Sequence, residues 1–114
     1  MNSTTLTLLN TSILTSYGKY SYEPLSLEQA RQLLREYRAN GRLVQSAIGH
    51  QSTADLLAML LETPVAVNRM DFRQTVEDVA LVFKPKQRIG EGRVLTREEL
   101  ETLGYEFGLL CRTE

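Results

Sequence analysis

A chain of 114 residues, 42% apolar and 24% charged, has the composition of one small globular domain, long enough to bury a core without disulfides or a structural metal. Its single cysteine, Cys111, excludes an intrachain disulfide framework and a cysteine-rich zinc site, and favours a reducing compartment. With 13 Lys+Arg against 14 Asp+Glu the net charge is −1, which excludes a general nucleic-acid coat and a polybasic membrane binder; the composition also contains one histidine, His50.

The first sixteen residues carry Leu6, Leu8, Leu9, Ile13 and Leu14 but lack the basic head of a signal peptide, and Asn10, Thr11 and Ser12 break the run. No stretch reaches the roughly 18 apolar residues that span a bilayer, so a cytoplasmic protein is expected, in the host cytoplasm if it is viral. Thr5 to Leu9 alternates in the manner of a strand, whereas residues 15–25, with Gly18, Pro24 and Tyr17, Tyr20 and Tyr22, read as a loop. Ser26 and Gln29 form a capping-box pattern ahead of Leu27, Ala30, Leu33, Leu34 and Tyr37, which recur at helical spacing until Asn40-Gly41. Leu43 to Ile48 suits a strand. Gly49-His50-Gln51 then turns into a second helix, capped by Ser52 or Thr53, striped by Leu56, Leu57, Leu60 and Leu61, and ended by Pro64.

Val65 to Met70 and Val76 to Phe83 both read as strands. Thr96 with Glu99 is a second capping box, opening a short helix that closes at Gly104, and Tyr105 to Cys111 is the last strand. The order predicts an α/β fold: a single domain over residues 1–114 with a mixed, roughly five-stranded sheet flanked by helices.

Two groups of residues carry chemistry. His50 follows Gly49 at a strand-to-helix junction, where α/β folds bind ligands, where the helix N-terminus favours a phosphate, and where an imidazole can transfer a proton near neutral pH. Its alternative role is that of a cap or a packing residue. Lys84 to Arg93 holds four basic residues; Arg88 can clamp a phosphate bidentately, and Glu91 between Gly90 and Gly92 can present a carboxylate from a turn. The same segment also suits a solvated turn protecting an edge strand. Asn68-Arg69 and Asn10-Thr11-Ser12 end predicted strands, where Asn and Ser turns are common. One histidine and one cysteine fall short of a zinc ligand set, and the chain has no phosphate-binding loop, dinucleotide fingerprint or Ser-His-Asp signal.

Taken together, Leu8-Leu9-Asn10-Thr11-Ser12-Ile13-Leu14, Ser46-Ala47-Ile48-Gly49-His50-Gln51-Ser52-Thr53-Ala54, Asn68-Arg69 and Gln87-Arg88-Ile89-Gly90-Glu91-Gly92 resemble the viral ring nucleases, anti-CRISPR proteins of archaeal viruses and bacteriophages. Glu98-Glu99-Leu100 and Leu103-Gly104-Tyr105-Glu106 extend the likeness to the closing helix and strand. The resemblance implies a homodimer that binds cyclic tetra-adenylate across its two-fold axis. It also implies cleavage by 2′-OH attack, without a metal or other cofactor, to linear di-adenylate with a 2′,3′-cyclic phosphate, which suppresses type III CRISPR signalling.

Carried over, it makes His50 and Glu91 catalytic. It assigns substrate contact to Ser12 or, next, Thr11, and to Asn10, Gly49, Gln51, Asn68, Arg69, Gln87 and Arg88. Neither a membrane nor a long nucleic acid is implied. The chain departs from the family in a longer loop, Thr15 to Leu25, whose tyrosines either cover the ligand and stack on adenines or pack on the first helix. The alternative function is a nucleotide- or DNA-binding regulatory module without catalysis.

Overall fold

Local signals set most of the elements in the computed structural model, which describes residues 5–10, 14–76, 78–86 and 95–114. The strands are β1 (Thr5–Leu9), β2 (Tyr20–Leu25), β3 (Leu43–Ser46), β4 (Asp78–Pro85) and β5 (Tyr105–Arg112); the helices are α1 (Leu27–Ala39), α2 (Gln51–Leu61) and α3 (Arg97–Leu103). Both capping boxes form. The Gln29 amide donates to Ser26 Oγ at 3.1 Å and the Ser26 amide to Gln29 Oε1 at 2.8 Å, and Thr96 and Glu99 reproduce the pair at 3.1 and 3.2 Å. Left-handed Gly41 (φ 68°) follows α1, and Gly104 (φ 87°) closes α3.

The sheet order is β2-β5-β4-β1-β3. β1 pairs in parallel with β3 and β4, while β5 is antiparallel to β4 and to β2, so four of the five strands point the same way. Alternation then sorts the side chains. Leu6, Leu8, Val79, Leu81, Phe83 and Phe107 meet Ala30, Leu34 and Tyr37 of α1 and the leucines of α2 in the larger core. Leu9, Ala80, Val82 and Leu110 face the other side, under Tyr20, Ala47 and Phe72. Because the central strands are buried on both faces, β4 reads as the unbroken apolar run seen in its sequence.

Three expectations are corrected. Residues 20–25 form an edge strand rather than a loop. Pro24 is tolerated because an edge strand pairs on one side only, and Gly108 on β5 leaves room for Tyr22: a Cβ there would lie 2.4 Å from the ring. Residues 65–70 form no strand. Val65 enters the larger core, the chain crosses the sheet edge at Asn68 and Arg69, and Phe72 packs on the helix-free face. The five strands therefore stand, but β2 takes the place of Val65–Met70.

The third correction concerns α2, whose N-cap is His50 (φ −128°, ψ 134°) and not Ser52 or Thr53; the His50 carbonyl accepts from the Ala54 amide at 3.0 Å. The helix stops at Leu61, before Pro64, with Glu62 left-handed (φ 55°). Arg31 secures that end, its Nε donating to the Leu60 carbonyl at 2.8 Å and its Nη1 pairing with Glu62 at 3.1 Å. None of the helices among the described residues is long and apolar enough to cross a membrane.

Candidate functional site

The parallel strands bring their carboxyl ends to one edge of the sheet. β1 leads there into Asn10, and β3 into Ala47, Ile48, Gly49 and His50; β4, on the far side of β1, runs out through Lys86. Ligands of open α/β sheets collect at this edge because loops and helix N-termini converge on it. Asn10, Ala47, Gly49, His50, Arg69, Met70 and Asp71 line an open depression of about 520 Å³.

The turn from β3 into α2 is fixed by its neighbours. The Ala47 amide donates to the Leu8 carbonyl at 3.0 Å and the Ile48 amide to Ser46 Oγ at 3.1 Å, while the Ile48 side chain is fully buried. From the chain after α2, the Asn68 amide donates to the Ile48 carbonyl at 2.8 Å, Asn68 Nδ2 to the Ser46 carbonyl at 2.8 Å, and Arg69 Nε to the Gly49 carbonyl at 2.9 Å. The Arg69 stem lies along Gly49, with its Cγ 3.6 Å from where a Cβ would stand. His50, exposed at the rim, makes no capping bond to α2. Nη1 and Nη2 of Arg69 have no partner among the described residues. The lining thus offers an anion a guanidinium edge beside an imidazole, with apolar Ala47 and Met70 next to them and Asp71 paired at 3.5 Å with Arg73.

Of the residues singled out in the sequence, Asn10, Gly49, His50 and Arg69 meet in this depression. Asn68 sits beside it as a backbone latch. Gln51 turns along the helix to Asp55, with Nε2 2.7 Å from Oδ1, and does not line the depression. Thr11, Ser12, Gln87, Arg88 and Glu91 lie outside the described residues. Ala47, inside the Ser46–Ala54 motif, was given no role, and Met70 and Asp71 were not singled out; extending the Asn68-Arg69 motif by two positions finds them.

The tyrosines of the Thr15–Leu25 segment do not pack on α1. Tyr20 and Tyr22 lie on the helix-free face, and Tyr17 is 99% exposed near the amino end of β2. Cys111 stands on β5, paired across the sheet with Val79 and Ser21, and burial pushes its thiol up, opposed by a hydrogen bond with Ser21. Among the described residues no three His, Cys, Asp or Glu side chains gather as a metal site.

Residues 6–107 match a family model described as STIV B116-like. The chain is 37% identical to the uncharacterized protein YddF of Bacillus subtilis (strain 168), over 96% of this chain and 98% of that one. It is 36% identical to the uncharacterized protein ORF117 of Acidianus two-tailed virus, over 98% and 97% of the two chains. Among solved structures, B116 of Sulfolobus turreted icosahedral virus superposes with a TM-score of 0.78 at 24% identity, over 95% of this chain and 98% of that one. That likeness gives the fold: one α/β domain with a five-stranded mixed sheet and helices.

Proposed function

The chain belongs to the STIV B116-like family, whose members include viral proteins, and on that premise we propose that it is a metal-independent ring nuclease that opens cyclic tetra-adenylate and so suppresses type III CRISPR signalling. The observation that supports this most is the meeting of His50, Arg69 and Asn10 in one open depression at the carboxyl edge of the sheet. A binding module needs the cation and the donors. A transesterase needs in addition a group that transfers a proton, and His50 supplies the depression with an imidazole, the side chain that most often does so.

In the proposed reaction a ribose 2′-oxygen attacks the adjacent phosphorus and the P–O5′ bond breaks. The 2′-OH proton passes to Glu91, and His50 as imidazolium gives a proton to the departing 5′-oxygen. The phosphate ends as a 2′,3′-cyclic diester and the other fragment as a 5′-alcohol. Arg69, joined by Arg88, stabilises the charge that builds on the phosphoryl oxygens, and Asn10 adds a polar contact. A homodimer suits a ring of four identical nucleotides, because a two-fold axis presents the same residues to opposite phosphodiesters. Two cuts then yield two di-adenylates.

Incubation of the protein with cyclic tri-, tetra- and hexa-adenylate in EDTA, followed by mass analysis, tests the proposal. Expected is conversion of the tetra-adenylate ring to di-adenylate bearing a 2′,3′-cyclic phosphate. A ring bound tightly but returned intact overturns it in favour of a sequestering module. Affinity for DNA that falls steeply with salt, without cleavage, overturns it in favour of a DNA-binding regulator.

A further inference from the structure

Asn68 stands next to the depression, yet its side chain is committed elsewhere. Nδ2 donates to the Ser46 carbonyl at 2.8 Å and lies 3.6 Å from the Met70 sulfur, so both amide protons point at the protein. The atom left over, Oδ1, is an acceptor, and a phosphate oxygen needs a donor. Asn68 is therefore poorly suited to hold a phosphate itself. Its backbone adds a second tie, the amide on the Ile48 carbonyl at 2.8 Å. The next residue makes the third: Arg69 Nε on the Gly49 carbonyl at 2.9 Å.

We propose that Asn68 is a positioning residue that acts on the anionic ligand through Arg69. A free arginine disperses its guanidinium over many rotamers, and ordering it on a ligand costs conformational entropy. Here the side chain is pinned at both ends, its backbone by the Asn68 latch on Ser46 and Ile48 and its Nε by Gly49, while Arg69 lines the depression with Nη1 and Nη2 unpartnered among the described residues. The same carbonyls lead directly into His50, so the latch also fixes the guanidinium relative to the imidazole. Reorientation that the latch removes beforehand is not required when the ligand arrives.

This inference rests on the ring-nuclease reading for its kinetic arm, and a spectroscopic arm reads the latch without turnover. In the first arm, kcat/KM for cyclic tetra-adenylate is measured for wild type, Asn68→Ala, Arg69→Ala and the double variant. Asn68→Ala is expected to lose roughly 10–100-fold, as for a misplaced catalytic or binding group. In the Arg69→Ala background the same change is expected to cost less than about threefold, because residues acting in series are not additive. Equal losses in both backgrounds overturn the proposal and leave Asn68 a stabilising or direct contact.

In the second arm, the 15N spectrum of Asn68→Ala is expected to show the Arg69 Nε–Hε signal and the Gly49 and His50 amides shifted, with the Gly41 amide unmoved. An unmoved Arg69 Nε–Hε signal overturns the proposal. A wild-type protein inert on the ring overturns the activity reading, and the spectrum still decides the latch.

Discussion

Two arginines at opposite ends of the sheet show how the fold treats the same side chain in two ways. Arg112, at the end of β5, donates from Nε to the Glu114 carbonyl at 2.9 Å, from Nη1 to Ser16 Oγ at 3.2 Å and the Gln74 carbonyl at 3.0 Å, and from Nη2 to the Tyr17 carbonyl at 2.9 Å. Gln74, itself buried, continues that network by donating from its amide nitrogen to the Leu110 and Asp78 carbonyls. Every nitrogen of Arg112 is thus bonded inside the protein. Arg69 at the carboxyl edge uses Nε alone among the described residues. A guanidinium whose donors are all taken holds structure, and one with a free edge is equipped to bind; position along the sheet, not residue type, makes the difference.

The sharpest way to break this comparison is to remove each arginine in turn. Arg69→Ala is expected to leave the melting temperature within about 2 °C and to lower kcat/KM for cyclic tetra-adenylate roughly 10–100-fold, the worth of a charge-assisted contact of about 1.5–3 kcal/mol. Steady-state kinetics and a thermal melt check both halves. Arg112→Ala should do the reverse: a loss of about 1–3 kcal/mol in urea unfolding, from several carbonyls left without donors, and less than a threefold change in turnover. Comparable kinetic losses in both variants would remove the distinction.

Smaller effects test the neighbourhood of Arg112. Gly108→Ala puts a methyl against the Tyr22 ring and is expected to cost about 1 kcal/mol, the low end for overpacking, since the half-exposed ring can swing into solvent; the denaturation midpoint reads it. Least of all, Cys111, with its thiol pushed up by burial, should be alkylated by iodoacetamide at pH 8 more slowly than an exposed peptide cysteine, and unfolding in urea should abolish the difference.

What could be read in the sequence followed from the range of the interaction. Ser26 with Gln29 and Thr96 with Glu99 are local pairs, and both capping boxes were predictable from spacing. The alternation at Thr5–Leu9 and the apolar run of β4 likewise need no partner to be recognised. β2 was missed because its strand character depends on a distant glycine, Gly108, that admits Tyr22. Val65–Met70 has β-branched residues but no ladder: Val65 packs into the larger core, Val67 is exposed, and Asn68 and Arg69 make single bonds to the Ile48 and Gly49 carbonyls instead.

At the site, Gly49-His50 stood out from the residues alone and Arg69 only through the resemblance, and the fold does bring them to one depression. Asn68 likewise entered only through the resemblance, and its commitment to the Ser46 carbonyl, 22 residues away in sequence, is visible only in three dimensions. The four bonds of Arg112 reach residues up to 96 positions away, so apart from the family resemblance nothing in the sequence separates it from Arg69.

The most direct test of the whole account is the single-turnover cleavage of cyclic tetra-adenylate in EDTA by wild-type protein and by His50→Ala. Wild type is expected to convert the ring completely to di-adenylate with a 2′,3′-cyclic phosphate, and His50→Ala to do so at least ~100-fold more slowly, the lower range for loss of a general acid. Cleavage at an unchanged rate by His50→Ala, or an intact ring after prolonged incubation with wild type, would contradict it.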